Sequence, residues 1–249
     1  MAPRMPHVYL VRHGQTEWSL NGRHTGTSDI PLTEKGVEIM KRTAKKVVPG
    51  VIEPKNVSHV FVSPRKRAQT TADLLFNHDD KNKFKSFETE DDVAEWDYGA
   101  YEGLKTHEIR ETKPDWDIWT DGCPPGDKYP GESPQQMSDR VDRVIAKIRA
   151  IHKECLERPD RDGTGQDIVI VSHGKVYRGL SCPDQIIYAP YPPLGHFSRA
   201  FVARWCDLPL NTGYHFVVDP GALHVLGYQH NTMKEPSLIG LNWYTEERC

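Results

Sequence analysis

The chain has 249 residues, with 32 lysines and arginines against 35 aspartates and glutamates, a formal net charge of −3 at pH 7. This length suits one large α/β domain. Because positive and negative charges are nearly balanced, there is no electrostatic reason to expect a nucleic-acid or membrane partner. No apolar run approaches the roughly 20 residues that span a bilayer, and residues 1–7 lack the apolar stretch of a signal peptide. The five cysteines are scattered and form no C-x-x-C pair, which favours free thiols. We therefore expect a cytoplasmic protein.

The first predicted element is a short apolar run, Val-Tyr-Leu-Val at residues 8–11, which is typical of a buried strand in a parallel sheet. Arg12, His13 and Gly14 come directly after it. Ligands of α/β sheets bind beyond the carboxyl ends of the strands, and a glycine there permits a sharp turn. An arginine beside a histidine suggests an anionic substrate and a nucleophile or acid–base group. The tripeptide alone does not distinguish such a site from a chance pair in a loop.

A helix is predicted next, from its N-cap Thr33 to about residue 48, and then a second apolar strand at residues 59–62. That strand ends at Ser63-Pro64-Arg65, where Ser63 is expected to cap a helix that continues to about residue 76. Arg65 therefore lies just after a strand end at a helix N-terminus, a position that favours anions.

Further along, the pattern predicts a strand around Phe87, an ordered acidic and aromatic loop at residues 95–103, and a surface excursion at 116–131. A long helix is predicted from Ser133 to about residue 156. Residues 167–171 form the strongest predicted strand, which ends in Ser172-His173-Gly174 and so repeats the first motif. This alternation predicts a three-layer α/β/α fold, with a mostly parallel sheet and helices on both faces.

The strand ends and the loop together carry the groups needed for phosphoryl transfer. Arg12 and Arg65 supply guanidinium groups that bind phosphate, His13 a nucleophile, and Glu95 a carboxyl group that protonates a leaving oxygen. The motifs resemble those of the histidine phosphatase (phosphoglycerate mutase-like) superfamily. The matching segments are Leu10-Val11-Arg12-His13-Gly14-Gln15-Thr16-Glu17-Trp18, Thr25-Gly26, Asp29-Ile30-Pro31-Leu32-Thr33, Ser63-Pro64-Arg65, Glu95-Trp96-Asp97-Tyr98-Gly99 and Ser172-His173-Gly174.

The resemblance implies a phosphatase that needs no metal or other cofactor. His13 would attack phosphorus and become phosphohistidine, while Arg12, Arg65 and His173 compensate the charge of the transferring group. Glu95 would protonate the departing sugar oxygen and then activate water. The residues that the resemblance places against the substrate are His24, Thr25, Gly26, Tyr98, Arg199 and His230. The implied partner is a small sugar phosphate, with sedoheptulose 1,7-bisphosphate the expected one, and the oligomeric state stays open.

The chain departs from the superfamily at the second histidine motif, which in related chains runs His-Gly-His-x-x-Arg straight into a helix. Here residues 175–195 separate His173-Gly174 from His196-Phe197-Ser198-Arg199. We interpret the chain as a single domain, residues 1–249, with an insertion of twenty-one residues at 175–195. The residues after Arg199 match the family helix and those after Arg178 do not, so Arg199 is taken as the binding arginine.

Two origins of the insertion remain open. One is a translated intron, since the genetic code permits a GTAAG donor at Gly174-Lys175, a CTGAC branch site at Pro183-Asp184 and a TAG acceptor at Leu194-Gly195. The other is a genuine lid loop over the site, because loops tolerate insertions. An inserted segment that separates His173 from its helix is expected to impair activity.

Three functions are weighed. The first is a phosphatase of a small sugar bisphosphate. The second is a phosphoglycerate mutase, although superfamily mutases usually carry Asn where this chain has Ser19. The third is a non-catalytic member of the same fold. Only the insertion argues for it, and against it argue Arg12, His13, Arg65, Glu95 and His173.

Overall fold

The computed structural model describes residues 4–158, 164–174 and 196–243. Within these ranges a six-stranded sheet has the order β3-β2-β4-β1-β5-β6. Its strands are β1 Val8–Arg12, β2 Val57–Val62, β3 Ser86–Thr89, β4 Asp167–Ser172, β5 Leu223–Tyr228 and β6 Pro236–Trp243. The first four strands are parallel, whereas β5 runs antiparallel to β1 and β6 antiparallel to β5. The predicted, mostly parallel sheet is confirmed. The two antiparallel strands, β5 and β6, were not predicted from the sequence.

Two of the helices begin where their capping residues predict. Thr33 accepts a hydrogen bond from the backbone N–H of Gly36, and Ser133 forms a reciprocal capping box with Gln136. The helices are α1 Glu17–Asn21, α2 Glu34–Val47, α3 Lys66–Leu75, α4 His78–Lys81, α5 Thr106–Thr112, α6 Ile118–Asp121, α7 Pro134–Leu156 and α8 Phe197–Trp205. No helix in these ranges is long and apolar enough to cross a membrane.

Alternation along the central strands produces two hydrophobic cores, one on each face of the sheet. Val8 and Leu10 pack into the core that contains side chains of α7 and α8. Tyr9 and Val11 pack into the other core, with side chains of α2 and α3. Every residue of β1 and β4 is buried, as a strand covered on both faces requires. The predicted three-layer α/β/α fold is confirmed.

The predicted surface excursion at residues 116–131 is wrong for its first part. Trp116, Ile118, Trp119 and Cys123 are buried in the core beside α7. The indole N–H of Trp116 donates to the carbonyl of Gly122, so even its polar atom is satisfied inside the protein. The sequence did not predict this burial, because the aromatic residues of an irregular segment follow no helical or strand periodicity.

The parallel register brings three strand ends together. Arg12 of β1 lies opposite Ser172 of β4, and Val62 of β2 lies opposite Val171. Because β2, β4 and β1 are adjacent, the residues just beyond them meet at one edge of the sheet.

Candidate active site

His13 lies at this edge with its backbone N–H donating to the carbonyl of Ser172 at 2.9 Å. Its side chain is buried, and Nδ1 lies 2.7 Å from the carbonyl oxygen of Gly14. A carbonyl only accepts, so Nδ1 carries the proton and Nε2 keeps the lone pair. Burial, followed by the charges of Arg67 and Arg12, lowers the pKa of His13 well below its ordinary value. The imidazole is therefore neutral and nucleophilic.

His173 packs edge-on against His13, with ring centroids 5.1 Å apart. Its Nδ1 accepts a hydrogen bond of 3.1 Å from Nε of Arg67, so Nε2 carries the proton and donates to the hydroxyl of Ser63 at 2.6 Å. This overturns the expectation that Ser63 caps α3: the cap position is Arg65, and no side chain accepts there. The structure thus brings both predicted histidines together and commits both nitrogens of His173 to protein partners.

Arg67 is the residue that sequence reasoning missed. Its fully buried guanidinium donates to the carbonyls of Ser28 at 2.8 Å and of Thr25 and Gly26 at 3.0 Å each. It therefore fixes the loop at residues 25–28 against His173. Helical spacing carried a signal for it. Arg67 stands four residues before Thr71 and eight before Leu75, on the buried face of α3.

Three arginines near this edge leave buried guanidinium nitrogens without a hydrogen-bond partner among the described residues. These nitrogens are Nε and Nη2 of Arg12, Nε of Arg65 and Nη1 of Arg199. Arg12 is otherwise held by its Nη1, which donates to the carbonyl of Val218 at 2.7 Å. Burial lowers the pKa of Arg12 and of Arg199 to about 9, so both remain charged at neutral pH. Buried cationic donors without an acceptor are suited to an anion.

Glu95 is buried at the N-terminus of α8. Its Oε1 accepts hydrogen bonds from the backbone N–H groups of Phe197 and Trp96 at 2.9 Å and of His196 at 3.1 Å. Glu95 and His13 line the same cleft, so the structure places a carboxyl group and an imidazole in one cleft. The residues that line this cleft are His13, Thr16, Ser19, Thr25, Glu95, Tyr98 and Gly174.

Tyr98 and His24 lie beside this cleft as an edge-to-face pair. Thr25 and Tyr98 line the cleft, and the Tyr98 hydroxyl lies 2.9 Å from Nδ1 of His196. The ring of His24 packs edge-on against Tyr98, with centroids 4.8 Å apart, and its Nδ1 lies 2.8 Å from the carbonyl of Leu104. His24 is thereby placed behind Tyr98.

Gly26 and Arg199 have structural contacts that their sequence positions did not show. A Cβ atom at Gly26 would lie 2.2 Å from the carbonyl oxygen of Trp96, so only glycine fits there. The Arg199 guanidinium donates to the carbonyls of Phe216, at 2.6 Å, and Tyr214, and leaves only Nη1 without a partner among the described residues.

His230 is not brought to the site, which corrects the expectation from the sequence. Strand β5 starts opposite Val11, beside the site, and runs antiparallel to β1. Six strand residues extend about 20 Å, so the turn after Tyr228 lies at the opposite edge of the sheet. There His230 is exposed and pairs with Glu235 at 2.5 Å. No cluster of three or more metal-ligating side chains is found in the described part of the chain.

Comparison with known proteins identifies the class. The profile of the histidine phosphatase superfamily (branch 1) matches residues 8–183, more than half of the chain. The chain belongs to this superfamily, which confirms the resemblance deduced from its motifs.

Several individual relatives are similar over most of the chain. It is 33% identical to sedoheptulose 1,7-bisphosphatase of Saccharomyces cerevisiae, over 94% of this chain and 91% of that protein. It is also 33% identical to an acid phosphatase of Mycobacterium tuberculosis, over 99% and 98% of the two chains. A 2,3-bisphosphoglycerate-dependent phosphoglycerate mutase of Erythrobacter litoralis is 33% identical over 71% of this chain and 82% of its own. Among solved structures, an open-reading-frame product of Mycobacterium tuberculosis superposes with a TM-score of 0.71 and 31% identity, covering 96% of this chain and 98% of its own.

We predict that His13 continues to form the phosphoenzyme in mild acid. An imidazole with an ordinary pKa near 6.5 loses about 20-fold in its neutral fraction between pH 7 and pH 5. The lowered pKa of His13 reduces this loss, because a larger fraction of the ring stays neutral in mild acid. The measurement is single-turnover formation of phosphoenzyme from p-nitrophenyl phosphate after a rapid pH jump. A roughly 20-fold slower burst at pH 5 in protein that keeps its native fluorescence would contradict the prediction.

We predict that substitution of Arg67 lowers the stability of the protein, whereas substitution of Arg65 weakens only the binding of phosphate. Arg67→Gln removes four hydrogen bonds, so we expect the free energy of unfolding to fall by about 3 kcal/mol and kcat by about 100-fold or more. Arg65→Gln removes a side chain with no hydrogen-bond partner for Nε among the described residues, so it should weaken inhibition by inorganic phosphate without loss of stability. Urea unfolding and phosphate inhibition check both variants, and equal loss of stability in the two would refute the distinction.

Proposed function

We propose that this protein is a metal-independent phosphatase that hydrolyses a phosphomonoester of a small sugar bisphosphate through a phosphohistidine. The observation that carries the proposal is the neutral His13, with its proton on Nδ1, in one cleft with the carboxyl group of Glu95. As part of the proposal the enzyme is cytoplasmic and binds neither nucleic acid nor membrane. The near-balanced charge and the scattered cysteines support this.

In the first step Nε2 of His13 attacks phosphorus, and the bond between phosphorus and the sugar oxygen breaks. Glu95, protonated, gives its proton to that oxygen, so the sugar leaves as an alcohol. The unpaired nitrogens of Arg12, Arg65 and Arg199 compensate charge on the phosphoryl oxygens. Arg67 contributes indirectly, because it holds His173 and the loop at residues 25–28 around the phosphoryl group.

In the second step the Glu95 carboxylate takes a proton from water while the water oxygen attacks phosphorus. The nitrogen–phosphorus bond breaks, phosphate leaves, and His13 returns to its neutral form with the proton still on Nδ1. The carbonyl of Gly14 keeps that tautomer throughout the cycle. Every proton is accounted for by Glu95, so the cycle needs no metal-bound water.

The proposed substrate is sedoheptulose 1,7-bisphosphate, on the strength of the similarity to the yeast enzyme over nearly the whole chain. Tyr98 and Thr25 line the cleft and are proposed to contact the sugar, with His24 supporting Tyr98 from behind. His230 is left out of this proposal because it lies at the opposite edge of the sheet.

A phosphoglycerate mutase is the second candidate, favoured by the mutase relative at 33% identity. Against it stands Ser19, whose hydroxyl donates to the carbonyl of Thr16 and accepts from its N–H. Ser19 lines the cleft with its one donor committed to Thr16, which leaves no hydroxyl proton for a second substrate group. Hydrolysis is therefore preferred.

We further propose that residues 1–249 are a single domain into which residues 175–195, which lie outside the described ranges, are inserted. The flanking chain supports this. The N–H of Ser198 donates to the carbonyl of His173 at 3.0 Å. If the twenty-one residues are left out of the count, this is an i to i−4 bond of an α-helix. The two sides are thus arranged as one continuous strand, turn and helix.

The function is tested by phosphate release from a panel of sugar mono- and bisphosphates and 3-phosphoglycerate, without added metal, for the wild type and for His13→Ala. We expect release of phosphate from sedoheptulose 1,7-bisphosphate, and we expect its complete loss in His13→Ala, because no other group forms the phosphoenzyme. Interconversion of phosphoglycerates without net phosphate release would favour the mutase. A wild type that forms no phosphohistidine would favour a non-catalytic protein.

The insertion is tested by sequencing the mature transcript and by deleting residues 175–195. Reads that run without a gap through these codons would exclude an intron and leave the lid loop. Because deletion joins Gly174 to His196 in the register already seen, the shortened chain is expected to fold with at least the thermal stability of the full chain. A deletion variant that loses its cooperative unfolding would refute the insertion.

A further inference from the structure

A buried ion pair behind the active site joins Arg140 of α7 to Glu132. Nε of Arg140 lies 2.6 Å from Oε1 of Glu132, and Nη2 lies 3.0 Å from Oε2, so the pair is bidentate. Both residues are only 8% exposed. A buried ion pair with such geometry rarely contributes net stability over an apolar pair, so its presence calls for another reason.

The pair is bonded to the residues on both sides of Glu95. The remaining nitrogen of Arg140, Nη1, donates to the carbonyls of Asp92 at 2.9 Å and Ala94 at 2.6 Å. On the other side, Oε2 of Glu132 accepts the backbone N–H of Asp97 at 3.1 Å. The backbone carbonyl of Glu132 accepts the indole N–H of Trp96 at 2.8 Å.

These contacts leave Glu95 as the one residue of 94–97 that the pair does not bind, and its side chain instead accepts from the N-terminus of α8. The ion pair therefore binds the loop at residues 92, 94, 96 and 97, on the side away from the cleft, while the carboxyl group of Glu95 lines the cleft. Displacing a catalytic group by about 1 Å costs on the order of 100-fold in rate.

We propose that Arg140 and Glu132 are positioning residues that hold Glu95 at the distance from the leaving oxygen which proton transfer requires. The inference rests on the proposed function, since it assigns Glu95 the role of general acid. Neither residue lines the cleft. Their effect on the reaction is confined to the step in which Glu95 moves a proton.

Leaving-group chemistry separates positioning from a merely structural role. A sugar alkoxide is a poor leaving group and must be protonated, whereas p-nitrophenolate leaves without an acid. A misplaced Glu95 therefore slows formation of the phosphoenzyme from a sugar phosphate and leaves formation from p-nitrophenyl phosphate unchanged. A protein that is only loosened at His13 slows both reactions equally.

The variants are Arg140→Lys and Glu132→Gln, each of which keeps the approximate size of the side chain and loses the bidentate ion pair. Arg143→Gln is the matched control. Arg143 stands three residues further along α7 and also pairs with Asp92, at 2.9 and 2.7 Å, but through its exposed side chain. Trp96→Phe, which removes the indole N–H that donates to Glu132, is the substitute if the ion-pair variants do not fold.

The measurement is the single-turnover rate of phosphoenzyme formation in the full chain, from sedoheptulose 1,7-bisphosphate and from p-nitrophenyl phosphate. We expect the ratio of the two rates to fall about 10- to 100-fold in Arg140→Lys and Glu132→Gln and to stay within about threefold in Arg143→Gln. A ratio unchanged in the folded variants, or in Trp96→Phe, would overturn the inference.

Failure of the proposed function has a different signature. A wild type that forms no phosphohistidine from either substrate would overturn that function, and the inference with it. A wild type that reacts with both substrates while the variants lose both rates in parallel would sink the inference alone.

Discussion

The bond between Arg67 and His173 is the contact on which the rest of the site depends. It joins the first turn of α3 to the end of β4, and through the same guanidinium it holds the carbonyls of the loop at residues 25–28. Arg67 is fully buried, so each of its nitrogens needs an acceptor in the protein. Because its nitrogens are hydrogen-bonded to the protein, Arg67 both fixes the surrounding segments and keeps a positive charge in a fixed position next to His13.

The burial of these arginines beside His13 carries a large desolvation free energy. Burial lowers the pKa of Arg12 from 12.5 to about 9, which corresponds to about 5 kcal/mol against the charged form. Asp219 and Glu95 act in the opposite direction but do not remove the shift. Under the proposed function, phosphate oxygens that accept from the unpaired nitrogens would offset this cost, and more strongly as charge builds up in the transition state.

Two buried arginines, Arg67 and Arg12, also act on the protonation state of His13. Two positive groups and desolvation all disfavour imidazolium, so His13 is kept neutral, while the carbonyl of Gly14 selects the tautomer. Under the proposed function, Arg12 thus serves both the binding of phosphate and the activation of His13. The carboxyl group of Glu95 is bonded instead to backbone N–H groups at the N-terminus of α8, and Arg140 binds the neighbouring carbonyl of Ala94.

The sequence by itself determined the layers of the fold and the first residues of the site. Apolar runs that end at Arg12-His13 and at His173 indicate both the strands and their chemistry, because the carboxyl ends of parallel strands hold the ligands. Thr33 and Ser133 likewise located two helices, since their capping bonds are local. Features set by residues close together in the chain could therefore be predicted.

Only the tertiary structure decided which long-range partners complete the site. Arg67 and Ser63 bind the two ring nitrogens of His173, whereas the sequence suggested only a capping role for Ser63, because the direction of α3 relative to β4 decides which side chains reach the histidine. His230 was excluded because β5 runs antiparallel, a direction that no local pattern encodes. The grip of Arg140 and Glu132 on the Glu95 loop depends on contacts between residues 35 to 48 positions apart, and such pairings are fixed by packing rather than by spacing.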